Sequence, residues 1–149
     1  MDITGLIGQY AHGNEPSHHT TYMYAYSGEH YKIADKVRYI NNELYSDEPD
    51  GLSGNEDCGQ MSAWYIFSSI GFYPVNPSNG AYIFGSPLFD VVDINIPGKK
   101  KFKVVAENNN DKNIGVLKNF KLIFRDHFES IEKNKKKTAR TTMGINTAL

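Results

Sequence analysis

The chain of 149 residues has a single cysteine, no long apolar run and almost no net charge. Because Cys58 has no second cysteine to pair with, an internal disulfide is excluded, and no cysteine-protease signature surrounds its thiol. No segment approaches the ~18 consecutive apolar residues of a membrane-spanning helix. A formal net charge of −1 gives no field that attracts nucleic acid or an anionic membrane. We therefore expect no nucleic acid and no membrane among its partners.

The first half of the chain has the periodicity of helices. Segment 18–26 places aromatic residues four apart, and segment 29–44 repeats apolar residues at intervals of three and four. Segment 60–70 is apolar on nearly every side, which predicts a helix buried in a larger structure. Gly71 is expected to end that helix.

The second half has the alternation of strands. We predict short strands in segments 82–84 and 91–96, and a hairpin that returns through segment 101–106. A last strand is predicted in segment 120–124, and a charge run precedes a polar end that predicts a disordered, basic tail. The sequence thus predicts an α+β chain with three regions: a helical region of residues 1–77, a β-strand region of residues 78–125 and a tail of residues 126–149.

Segment 10–19 collects an amide, a carboxylate and three imidazoles around Pro16, a residue typical of helix starts. His18 and His19 are adjacent, so on a helix they point about 100° apart and cannot easily share one zinc ion. Two interpretations stay open on the residues alone. The segment forms a polar pocket for a hydroxyl-rich ligand, or it serves helix capping and core packing.

Segment 50–60 is an acidic, glycine-flanked loop that leads directly into the apolar helix. Its spacing does not match an EF-hand calcium loop. Two interpretations are again open. Asp57 caps the helix N-terminus, or the polar residues bind hydroxyls, a water molecule or a hard cation. The candidates for such a cluster are Asn55, Glu56, Asp57 and Gln60.

Together the two segments resemble the C-terminal portion of the catalytic domain of glycoside hydrolase family 92. The resemblance is carried by GNEPSHH at residues 13–19 and GNEDCGQMSAWY at residues 54–65, and it covers about residues 3–113. Members of this family have a β-sandwich followed by an (α/α)6 barrel. They remove terminal α-linked mannose with inversion and depend on calcium. The resemblance implies that about three helices here are the end of that barrel, followed by a small antiparallel β region.

The resemblance also implies roles for particular residues. Asp57 matches the general base, and Asn55 stands where relatives often carry an aspartate. Because an amide cannot accept a proton at neutral pH, Asn55 would orient a group rather than abstract a proton. Asn14 and Glu15 match the segment that contacts the leaving sugar. Further residues expected to bind the mannose-containing oligosaccharide are His18, His19, Glu56 and Gln60; the ligands of the implied Ca²⁺ are not assigned.

The general acid of the family lies upstream of every residue of this sequence. We therefore expect the 149 residues alone to be inactive and the N-terminal portion of the same enzyme to be their partner. The resemblance implies a secreted, periplasmic or surface-associated parent in bacteria, whereas the sequence itself leaves the localisation open. Two alternatives to an enzyme fragment are a mannose-binding remnant and a non-functional truncated fragment.

Overall fold

The computed structural model describes residues 4–98, 101–107, 109, 120–124 and 143–144. Within these residues the chain is α+β, as the sequence predicts, with helices in its first half and antiparallel strands in its second half. No described helix has the length and apolar character needed to cross a membrane. The (α/α)6 barrel and the division of the chain into three regions stay predictions.

The helical half begins with a short hairpin of β1 (Leu6–Ile7) and β2 (Tyr10–Ala11). Two 3-10 helices follow, Glu15–Ser17 and Thr20–Ala25. The α-helix implied for segment 18–26 is therefore wrong in type, because the backbone there forms the tighter 3-10 turns. Short 3-10 pieces of this kind are common connectors between regular elements.

Helix α1 (Tyr31–Glu43) lies inside the predicted segment 29–44. Its apolar residues at intervals of three and four are buried in the core, namely Ile33, Ala34, Val37 and Ile40. The same pattern also predicts a buried Tyr31, but this side chain is 55% exposed at the first position of the helix. Periodicity thus identifies the buried face correctly and overextends it at the helix start.

Helix α2 (Gln60–Ile70) has the bounds that the sequence predicts, and Gly71 ends it in the left-handed conformation with φ 111°. Met61 and Trp64 are fully buried, whereas Ile66 on the other side is 56% exposed. Within this chain, α2 is therefore buried on one side only. The larger structure that its apolar sequence predicts on the other side stays a prediction.

The second half forms two antiparallel three-stranded sheets. One has the order β3 (Phe72–Asn76), β4 (Ala81–Phe84), β8 (Met143–Gly144), and the other the order β5 (Val91–Ile94), β6 (Phe102–Ala106), β7 (Phe120–Phe124). The predicted hairpin is confirmed by pairs such as Val91 with Val105.

Strand β3 is missed by the sequence analysis because Pro74 within it disfavours a regular strand. The pairing of β3 with β4 accordingly shifts register between Tyr73 and Asn76. Strand β8 falls within the predicted disordered tail, so the prediction of a tail without structure fails for Met143 and Gly144. The remainder of 126–149 lies outside the described residues.

An aromatic core joins the helices to the first of these sheets. Trp64 and Tyr22 are fully buried, and the Tyr22 ring stacks on Tyr73 with centroids 5.0 Å apart. Aliphatic side chains of α1 pack on the same cluster, together with Ile83 of β4. Rings of this size dominate the apolar area that a core buries. Segments 13–19 and 54–60 lead into the helices that carry this core.

Candidate active site

The first loop (residues 13–19) and the second loop (residues 54–60) begin at a common point of backbone contact. A Cβ atom added to Gly54 would lie 3.1 Å from the Gly13 carbonyl oxygen, and one added to Gly13 would overlap the Ser53 carbonyl oxygen. The Thr4 hydroxyl donates a hydrogen bond to that same Ser53 oxygen at 2.8 Å. Only glycine permits so close an approach, so the two polar segments leave the core side by side.

A second junction ties the far ends of the two loops together. Gln60 Nε2 donates to His18 Nδ1 at 3.0 Å and to the Tyr73 hydroxyl at 3.2 Å. The indole N–H of Trp64 donates to the His18 carbonyl oxygen at 3.0 Å. Because His18 Nε2–H donates to the His12 carbonyl oxygen at 2.9 Å, Nδ1 is left as the acceptor. His18 is therefore a neutral, buried connector.

His12 lies beneath the first loop and is fully buried. Its Nε2 is 2.6 Å from the Tyr45 hydroxyl, which in turn donates to the Met61 carbonyl oxygen in the first turn of α2. The Tyr10 hydroxyl lies 2.7 Å from Nδ1. Burial first, and then the nearby His18, lowers the pKa of His12 to about 3. Both hydrogen bonds of the ring thus belong to a neutral imidazole that links β2 to α2.

Burial also lowers the pKa of His18, although its hydrogen bond to the His12 carbonyl and the nearby Glu15 carboxylate act in the opposite direction. The two imidazoles stack with ring centroids 4.6 Å apart. Two positive charges at that separation would repel in an environment with little water. The two buried imidazoles beneath the loops are therefore held by hydrogen bonds between uncharged groups.

The N-terminus of α2 is capped by Glu56. Its carboxylate accepts hydrogen bonds from the backbone N–H of Ser62 at 3.0 Å and from the Ser62 hydroxyl at 2.7 Å. The backbone bond first, and the hydroxyl bond second, lower the pKa of Glu56. Gly59 stands at the N-cap position without a side chain, so the interpretation of Asp57 as the helix cap is wrong. Glu56, the residue before Asp57, accepts the hydrogen bond from the Ser62 N–H that a capping side chain would accept.

Three consecutive residues ahead of α2 have left-handed backbones. The φ angles of Asp57, Cys58 and Gly59 are 51°, 57° and 93°. This conformation is uncommon for residues with a side chain, and such strained positions persist only where surrounding contacts determine them. The Asp57 side chain is exposed, and no hydrogen bond within the described residues engages its carboxylate. It is therefore free to contact a ligand.

The other predicted site residues differ in exposure. Asn14, His19 and Asn55 are exposed, Glu15 and Gln60 are half-buried, and His18 is buried. None of the predicted site residues lines the apolar groove of ≈ 560 Å³ beside β1, β2 and α1. Five supporting residues are absent from the predicted set of site residues. Tyr10 in β2 and His12 just after it are two residues apart, which was a usable signal for these two, whereas tertiary contacts alone identify Tyr45, Trp64 and Tyr73.

Residues 1–141 match the glycosyl hydrolase family 92 catalytic domain. The chain belongs to glycosyl hydrolase family 92. A secreted, uncharacterized glycosidase of Arthroderma benhamiae is 32% identical over 99 residues, which are 66% of this chain and 13% of that protein. The resemblance seen in the two loops is thereby confirmed.

Two solved family 92 enzymes of Bacteroides thetaiotaomicron are similar in structure. An α-mannosidase in complex with mannoimidazole is 48% identical with a TM-score of 0.72, covering 76% of this chain and 15% of that enzyme. An inverting mannosidase is 47% identical with a TM-score of 0.62, covering 69% of this chain and 14% of its own. The family 92 chain described here thus spans 13–15% of the length of these three relatives.

The family resemblance implies a calcium ion, which a cluster of metal-binding side chains would hold. Among the described residues, no three His, Cys, Asp or Glu side chains lie close enough together to hold a metal ion. Ca²⁺ takes about six to eight oxygen ligands, several of them carboxylates. The described residues thus supply no cluster of three such side chains for Ca²⁺.

Proposed function

We propose that this chain supplies the general-base side of the active site of an inverting exo-α-mannosidase that releases terminal α-linked mannose from glycans. One observation carries the proposal: the backbone contact of Gly13 with Gly54, which brings together two polar loops distant in sequence. The similarity to two solved mannosidases supports the substrate class.

In the proposed mechanism, Asp57 is the general base. Inverting hydrolysis needs a carboxylate that takes a proton from a water molecule on one face of the sugar, and an acid that protonates the leaving oxygen on the other face. An exposed carboxylate without an internal hydrogen bond suits the first role, because it is free to bind that water molecule. Asn55, exposed on the same loop, is proposed to orient the water or a sugar hydroxyl.

The first loop is proposed to bind the leaving sugar. Asn14 is exposed and Glu15 half-buried, and both follow directly on the glycine contact. His19 is exposed and is able to donate or accept from a hydroxyl group. The Gln60 amide uses its nitrogen within the protein, which leaves its oxygen as an acceptor for the ligand. His18 then serves by holding Gln60.

Two components of the enzyme are proposed to come from elsewhere in the protein. The chain spans 15% of the solved α-mannosidase, and the resemblance assigns the general acid to a segment outside the 149 residues. A general acid contributes about 10² to 10⁴ in rate. We propose that the 149 residues alone hydrolyse no α-mannoside, and that Ca²⁺ requires ligands from outside this chain.

The test is the substitution Asp57→Asn in the full-length enzyme. We expect kcat on an aryl α-mannoside to fall by about 10² to 10⁴ while KM stays within a few-fold, because a base acts in the transition state. The wild-type enzyme should release β-mannose first, as followed by NMR. Asp50→Asn, which alters another exposed acid ahead of the second loop, is the matched control and should retain full activity. Full activity of Asp57→Asn would contradict the assignment.

A further inference from the structure

The strained turn at residues 57–59 is bridged by Glu56. The backbone carbonyl of Glu56 accepts from the Met61 N–H at 3.2 Å, and the Asp57 carbonyl accepts from the Gln60 N–H at 3.2 Å. Both bonds span the left-handed turn from its start to the first turn of α2. The Glu56 side chain adds two more bonds across the same turn, both to Ser62.

Ser62 is the third residue of α2, and its N–H lies in the first turn, where a helix leaves backbone donors without internal partners. A residue at the N-cap position normally satisfies such a donor, but Gly59 has no side chain. Glu56 does so from three residues further upstream. A negative charge there is also favoured by the positive end of the helix dipole. The two bonds from Ser62 to the Glu56 carboxylate are called the clamp below.

The two neighbouring carboxylates consequently have opposite environments. Both Glu56 oxygens are hydrogen-bonded within the protein, to the Ser62 N–H and hydroxyl. The Asp57 side chain is exposed. Because Asp57 is adjacent in a strained turn, its direction depends on whatever holds that turn closed.

We propose that Glu56 is a positioning residue, which binds Ser62 to hold the turn at 57–59 and thereby directs the Asp57 carboxylate toward the ligand. The role rests on the proposed function, in which Asp57 is the base. In this proposal Glu56 contacts Ser62 of α2 in place of the sugar contact that the sequence analysis predicts. Ser62 acts with Glu56 as one unit.

The test compares Glu56→Ala, Glu56→Gln and Ser62→Ala in the full-length enzyme, with Glu43→Ala at the exposed end of α1 as the control. We expect Glu56→Ala to lower kcat by about ten- to a hundredfold with little change in KM, because misplacement of a catalytic group affects the transition state. Ser62→Ala removes only the hydroxyl bond and keeps the backbone N–H bond, so it should lower kcat by a smaller factor. Glu56→Gln keeps one oxygen acceptor and should restore part of the loss. The double variant Glu56→Ala/Ser62→Ala should be no worse than Glu56→Ala alone.

Three results would overturn the proposal: a raised KM with unchanged kcat in Glu56→Ala, a greater loss of kcat in Ser62→Ala than in Glu56→Ala, or additive losses in the double variant. Amide hydrogen exchange of Ser62 gives a readout that is independent of hydrolysis. It should accelerate by about tenfold or more in Glu56→Ala and not in Glu43→Ala. If the wild-type enzyme hydrolyses no α-mannoside, the proposed function fails, while unchanged exchange at Ser62 in Glu56→Ala refutes the clamp itself.

Discussion

The first and second loops begin with the same three residues, Gly-Asn-Glu, and use them differently. In the first loop, the Glu15 carboxylate is half-buried and forms no hydrogen bond or ion pair among the described residues. In the second loop, the Glu56 carboxylate is bound to Ser62 and the following Asp57 is exposed. The two loops touch at their glycines, and each leaves one carboxylate without a hydrogen bond. That carboxylate is Glu15 in the first loop and Asp57 in the second.

The fourth residue of each loop accounts for the difference. Pro16 stands in the first turn of the 3-10 helix Glu15–Ser17, where its fixed φ favours helical geometry at once. Asp57 instead enters a left-handed turn, which delays the start of α2 until Gln60. This delay gives Glu56 a helix N-terminus to bind downstream, whereas the first loop offers Glu15 no long helix. The direction of the backbone after the shared Gly-Asn-Glu, and not the glutamate itself, determines which carboxylate remains free.

Acid should lower the free energy of unfolding, because the imidazoles beneath the first loop are buried and neutral. The pKa of His12 is lowered from 6.5 to about 3 by burial, so between those values the unfolded chain binds a proton that the folded chain does not. The contribution of His12 to stability is therefore full above pH 6.5 and should fall by about 1.4 kcal/mol per pH unit below it, on the order of 5 kcal/mol by pH 3. The burial that lowers the pKa of His18 acts in the same direction.

Urea unfolding followed by Trp64 fluorescence, measured from pH 7 to pH 4, checks this expectation. His19→Gln is the matched control, since His19 is exposed while its neighbour His18 is buried. The control should reproduce the pH slope of the wild-type chain. A free energy of unfolding that stays constant over this range would show that the buried imidazoles are protonated in the folded state.

Substitution of Glu15 should affect substrate binding more than catalysis. In the full-length enzyme, Glu15→Gln is expected to raise KM by about ten- to a hundredfold with a smaller change in kcat, because a hydrogen bond from a sugar hydroxyl loses its charged acceptor in ground and transition states alike. Steady-state kinetics on an α-mannoside measure both constants. Glu48→Gln, an exposed glutamate ahead of the second loop, should change neither. An equal fall in kcat and kcat/KM for Glu15→Gln would instead give this residue a role confined to the transition state.

Much of the fold was predictable because local patterns are strong in this sequence. The bounds of α2 follow from its apolar residues and from Gly71, and the β5–β6 hairpin follows from alternation on both sides of Pro97 and Gly98. The 3-10 helix Thr20–Ala25 was not distinguishable from an α-helix by spacing alone. Strand β3 was hidden by Pro74, because its pairing depends on β4 and not on its own residues.

The members of the candidate site stay predictions, and their connections were not predictable from the sequence. The two loops were selected by polar residues and by the family resemblance, but nothing in the sequence indicates that Glu56 binds Ser62 while Asp57 stays exposed. That outcome depends on three left-handed residues in succession, two of which are not glycine. Likewise the burial of His12 depends on contacts with Tyr45, which tertiary structure alone creates.

A methyl group at the contact of the two loops should destabilise the chain. Gly13→Ala would place a Cβ atom against the Ser53 carbonyl oxygen, and backbone atoms there have little room to move. We expect the free energy of unfolding to fall by about 2–3 kcal/mol, in the range of overpacked cores. Gly8→Ala is the control: it has a left-handed φ of 61° but nothing within 4 Å, so strain alone should lower stability by about 1 kcal/mol. Equal losses in urea unfolding would mean that the loops move apart without penalty.

The two smallest changes in the free energy of unfolding should have opposite signs in the two loops. Cys58→Gly replaces an exposed residue with φ 57° by one that adopts this conformation freely. The relief of left-handed strain, about 1–2 kcal/mol, exceeds the entropy that glycine loses on folding, so stability should rise by about 0.5–1 kcal/mol. Pro16→Ala in the first loop should lower it by about 0.5–1 kcal/mol, because proline restricts the unfolded chain to a φ that the 3-10 helix already uses. Thermal unfolding of both variants measures the two signs. A loss of stability in Cys58→Gly would mean that the turn at 57–59 carries no strain, and the second loop would then need no clamp to hold it.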